Sequence, residues 1–162
     1  MNLEESLPKL GEVFEFRKTL SPETDRGCAL MAAAYLDAQL EELLSLHFVD
    51  DPGVVEDLLG QSKPLGSFSS RIDMTYVLGF IGSKARRDLH LIRKIRNLFG
   101  HDHRPLSFDE SKISSRCREF SYVVVEGDSR QNFIRAAMGV LAVLHFEIDK
   151  AQHTPARQDL FI

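Results

Sequence analysis

The chain has 162 residues, a net charge of −4, and 43% hydrophobic and 27% charged side chains. That is one domain's worth of sequence, with enough apolar material for a core that needs no staples, and the proportions exclude a disordered or fibrous protein. The mildly acidic total does not announce a nucleic-acid binder, and Cys28 and Cys117 are too far apart to form a C-x-x-C pair.

Taken in order, the segments read as helices. Leu3, Leu7, Leu10, Val13 and Phe14 recur at three- and four-residue steps and predict a first helix over residues 2–18. Acids in "MNLEESLPKLGEVFEF" stand where an export signal would carry lysines, so a cytoplasmic location is expected. Ser21-Pro22-Glu23 has the form of a helix start, with a hydroxyl cap, proline at N1 and an acid in the first turn. A long helix from there to about Phe48 carries Ala32, Ala33 and Ala34, small residues that suit a central position. Asp51-Pro52 starts a short helix over residues 54–59, and "GQSKPLGSF" is a loop. Ser67 or Ser69 caps a helix running to about Ile81, where Gly82-Ser83 ends it and places Arg71 and Asp73 among its first exposed charges.

An arginine-rich helix follows to about Phe99, Pro105 breaks the chain, and a short helix is expected over 110–120. "SYVVVEGDS" is the one β-favouring run and has no second strong strand to pair with. Asp128 or Ser129 opens a last helix through Ile148, and the tail from Thr154 is expected to fray. The expectation is an all-α, single-domain multi-helix bundle of six to seven helices spanning 1–162. It comprises an N-terminal helix (1–20), a core bundle (22–153) and a tail (154–162).

Function is best sought in "RKIRNLFGH", residues 93–101. At 100° per residue, Leu91, Ile92, Ile95, Leu98 and Phe99 share one face. His90, Lys94, Asn97 and His101 line the opposite side, with Arg93 and Arg96 on the border. Residues 84–104 hold seven Lys or Arg against two acids, which is +5 and leaves −9 for the rest of the chain. The bland reading is a solvated face whose basic end suits the helix dipole. The functional reading is an anion-recognising surface, with His90, Arg93, Lys94, Arg96, Asn97 and His101 as the partner-binding residues.

Arg96-Asn97-x-x-x-His101 resembles the R-x4-H signature of the HEPN superfamily of small helical domains. That resemblance implies metal-independent RNA cleavage, with His101 as general base, Arg96 stabilising the charged phosphorane and Asn97 orienting the phosphate. Residues five apart sit about 140° apart on a regular helix, so Arg96 and His101 converge only if the helix ends between them. Gly100 as a C′ residue would supply that ending.

Three blocks, "DRGCALMAAAYLDAQLEELL", "PLGSFSSRIDMTYVLGFI" and "DLHLIRKIRNLFGH", in that order, resemble the mannitol operon repressor family of bacterial transcriptional regulators. The resemblance covers about residues 22–120. It implies an all-helical cytoplasmic protein that acts through a protein partner, one of transcription or sugar-transport regulation. The basic helix also carries a full core stripe and lacks the short helix and tight turn that precede a recognition helix, which argues against direct reading of DNA. RNA is the alternative ligand, a homodimer is expected, and a membrane is not.

Other constellations carry less. "GSFSS" lacks G-x-S-x-G, so its serines read as caps. His101 and His103 with His90 or His145 have no supporting metal motif, and neither a metal nor a cofactor is expected. His145 reads as a core or border histidine, and Arg26 as buried or interfacial.

Overall fold

The computed structural model describes residues 3–123 and 128–158, with side chains from residue 11 onward. Those residues form seven helices: α1 (Leu3–Leu20), α2 (Asp25–His47), α3 (Pro52–Leu59), α4 (Phe68–Val77), α5 (Ser83–His101), α6 (Ser111–Cys117) and α7 (Ser129–Lys150). The all-α expectation holds. Residues 124–127 of the β-favouring run lie outside the described residues, and 121–123 form a turn.

The alanines of α2 place it at the centre. Cys28, Ala29, Ala32, Ala33, Leu36, Leu40, Leu43 and Leu44 are buried, and α1, α3, α4, α5 and α7 all pack on it. Helix α7 closes the other side, against α1, α2, α5 and α6. Between them, Phe99 and Phe133 stand at 5.1 Å from the ring of Phe108, which the loop after α5 inserts into the core. Burial pushes the Cys28 thiol up to about 11 and the Cys117 thiol up to about 12, so both are inert packing groups.

Several boundaries differ from the sequence reading. The cap of α2 is Thr24, whose hydroxyl accepts from Gly27 N, and not Ser21. Ser21 instead bonds back to the Arg17 carbonyl. The carbonyls of Leu20, Ser21 and Glu23 turn toward the Arg130 guanidinium of α7, and that demand holds this segment out of a helix. Ser67 does cap α4, in a reciprocal arrangement with Ser70. However, α4 stops at Val77 rather than near Ile81. Gly79 takes φ +81°, Phe80 N donates to Thr75 O, and Gly79 N donates to Tyr76 O, which is a Schellman ending.

Arg71 is not an exposed charge. It is 6% exposed and donates to Leu59 O (2.7 Å), Leu65 O (3.0 Å) and Asp37 Oδ1 (2.9 Å), with Glu41 Oε2 at 2.8 Å. The tail is tied rather than frayed at Thr154, whose backbone N and hydroxyl both donate to His47 O.

Candidate functional site

Helix α5 runs unbroken through Gly100 to His101 and is capped at Asp102, so Gly100 is not a C′ residue. Its missing Cβ faces Leu30 of α2 at 3.8 Å. Arg96 and Arg93 stand four and seven residues earlier, hence on that same α2-facing side. Lys94, Asn97 and His101 follow on the adjoining part of the exposed arc, where they line a groove between the end of α5 and α6. The helical register therefore keeps Arg96 and His101 on different sides, without the break that the cleavage geometry needs.

The groove encloses about 740 Å³. Lys94, Asn97 and His101 form one wall, and Lys112 and Arg116 of α6 form the other. Leu98, Leu106 and Ile113 supply apolar lining; Leu98 and Leu106 are half-buried against the core and Ile113 is buried. The loop 102–110 closes the end with Asp102, His103, Arg104 and Glu110.

That loop is held from α2. Arg26 Nη2 donates to the carbonyls of Asp102 and Arg104, both at 2.7 Å, and Asp25 Oδ2 accepts from Phe108 N at 2.9 Å. Asp25 is itself paired with Arg130. At the loop's tip, Arg104 forks onto Asp102, with Nε–Oδ1 at 3.0 Å and Nη2–Oδ2 at 2.6 Å. Those side-chain bonds, joined by the Arg104 N–H, hold the Asp102 carboxyl well below the usual carboxylate range and raise Arg104. Arg104 is thus largely neutralised. Arg26, whose role the sequence left open, positions the groove's rim.

The six expected partner-binding residues are dispersed. Lys94, Asn97 and His101 come together in the groove. His90 is drawn away to Asp73 of α4 at 3.1 Å, where Arg86 Nη2 also reaches the same oxygen at 2.7 Å. The His90 hydrogen bond, with Arg86 adding to it, lowers the Asp73 pKa. Arg93 and Arg96 lie off the groove and have no ion-pair partner among the described residues, and the buried Nε of Arg93 lacks a hydrogen bond. Lys112 and Arg116 were missed, although their i, i+4 spacing on a short helix after a basic segment was a signal for them. Among the described residues, no three His, Cys, Asp or Glu side chains gather in a way that could hold a metal ion, and no helix is long and apolar enough to cross a membrane.

Comparison with known proteins gives two findings. The mannitol repressor (MtlR) family model matches residues 14–153. The X-ray structure of the MtlR–HPr complex from Escherichia coli contains a chain of similar fold, with a TM-score of 0.62 and 22% identity; the match covers 85% of this chain and 96% of that one. No curated protein sequence matches.

Proposed function

Because the chain belongs to the mannitol repressor family, we propose that it is a repressor-type transcriptional regulator working through a protein partner, with HPr, found with the E. coli relative, as the partner class. The family match across residues 14–153 carries this reading. Charge adds to it, because one basic helix face stands on an otherwise acidic molecule and gives a partner a single oriented approach. The partner-binding surface is the exposed side of α5 around Arg93, Lys94, Arg96, Asn97 and His101, in a cytoplasmic homodimer.

Titration calorimetry with purified HPr tests this reading. The wild-type chain binds saturably, and Arg93→Glu with Lys94→Glu weakens binding at least about tenfold, or 1.4 kcal/mol, while the unfolding midpoint stays near wild type. Undiminished affinity in that folded double variant removes the surface assignment. Absence of binding by the wild-type chain removes HPr as the partner class.

A further inference from the structure

The α5–α6 groove has a chemistry narrower than a basic patch. We propose that it seats an acidic peptide segment carrying apolar anchor residues, contributed by a partner protein. This rests on reading the chain as a protein-binding regulator, and it names what one part of its surface takes.

The walls supply the first argument. Lys94 on α5 faces Lys112 and Arg116 on α6 across the opening. Neither lysine has an ion-pair partner among the described residues, and Arg116 is engaged only with the Lys112 carbonyl of its own helix. These cations are available to carboxylates entering between the helices, and Asn97 adds an amide able to bond a main chain. The floor supplies the second. Leu98 and Leu106, packed over the buried Ile113, offer apolar surface at the base of the charged walls, so a segment with leucine-like side chains gains burial that a purely acidic one does not. A volume of about 740 Å³ matches a few side chains of one segment rather than a broad protein face.

The same lining disfavours a nucleic acid. No Phe, Tyr or Trp is among the described residues that line the groove, which leaves the imidazoles of His101 and His103 to stack on a base, and Asp102 and Glu110 interrupt the positive field that a regular phosphate tract requires. A peptide can place its carboxylates beside the lysines and avoid the two acids. Preorganisation is the third argument. Arg26 and Asp25 fix the loop that closes the groove, so little ordering of the groove itself remains to oppose binding.

Fluorescence anisotropy on the full chain tests this directly. The probe is a short labelled peptide of glutamates with two leucines four residues apart. A control peptide carries serines in place of the leucines, and a single-stranded RNA oligonucleotide serves as competitor. The leucine peptide binds saturably, at least about tenfold tighter than the serine control, and weakens as salt rises. Lys112→Glu with Arg116→Glu, and separately Lys94→Glu on the opposite wall, each lower affinity at least about tenfold with the helical circular dichroism unchanged. No saturable binding by the wild-type chain, equal binding of the serine control, or folded variants that bind normally overturns the proposal. So does RNA that displaces the peptide at lower concentration than unlabelled peptide does. The HPr titration separates the two readings. HPr binding without peptide binding sinks the groove assignment alone, whereas peptide binding without HPr binding sinks the partner class and supports the groove.

Discussion

At the scale of single residues, the charged side chains inside the bundle act as joints. Arg71 ties the carbonyls of Leu59 and Leu65 to Asp37 of α2, so one guanidinium fixes the α3–α4 connection on the central helix. Arg71→Ala strands two carbonyls and a carboxylate that burial keeps from full hydration, at a cost of about 3 kcal/mol. Denaturant unfolding measures it, and Arg71→Lys restores little, because a single ammonium cannot reach the same forked set of acceptors. Asp88 is a second joint. It is fully buried, and its carboxylate accepts from the backbone N–H groups of Ser121 and Tyr122. Asp73 is exposed enough to titrate in place. Its folded pKa lies below the ordinary value, so its clasp with His90 and Arg86 contributes stability in full above about pH 4 and loses it as pH falls through the lowered value. The melting temperatures of wild type and Asp73→Asn should therefore differ at neutral pH and converge in acid; a constant gap counts against the clasp.

At the scale of elements, glycine placement separates two endings that the sequence confuses. Gly79 has φ +81° at the end of α4, whereas Gly100 sits inside α5 with ordinary room for a Cβ. Gly79→Ala should destabilise by about 1 kcal/mol, and Gly100→Ala should stabilise by about 0.5–1 kcal/mol. Calorimetric melting of both variants is the check, and a destabilised Gly100→Ala would restore the helix break. Periodicity made the helices legible because each buries a continuous apolar stripe. It could not say that Gly79 rather than Gly100 turns left-handed, since the bonds that close α4, from Phe80 N to Thr75 O and from Gly79 N to Tyr76 O, decide that. Ser21-Pro22-Glu23 misled for a similar reason: its local chemistry favours a helix start, but Arg130, more than a hundred residues away, claims its carbonyls. Arg71 looked like a solvated helix charge because its acceptors come from the end of α3, the loop after it and α2.

At the scale of the molecule, the segregation of charge was visible in the sequence, and its division between surfaces was not. The periodic strip on α5 contains Lys94, Asn97 and His101, but the opposite wall comes from α6, and Phe108 and Arg26 decide where the intervening loop lies. A linear reading sees one helix face at a time, whereas a groove needs the packing of two. If the basic face steers a partner, raising salt from about 50 to 300 mM should slow association more than it speeds dissociation. Stopped-flow mixing separates the two rates, and a salt-insensitive association rate would make the charge asymmetry incidental to encounter.

Helix α7 packs on both α1 and α2, and its Arg130 closes the turn between them. During synthesis, α1 to α6 leave the ribosome before the helix that completes their core. The growing chain must therefore carry the apolar faces of α1, α2 and α5 unsealed until α7 emerges. The long-range bonds from Arg130 to Leu20, Ser21 and Glu23 then form together, and only after α7 has been made.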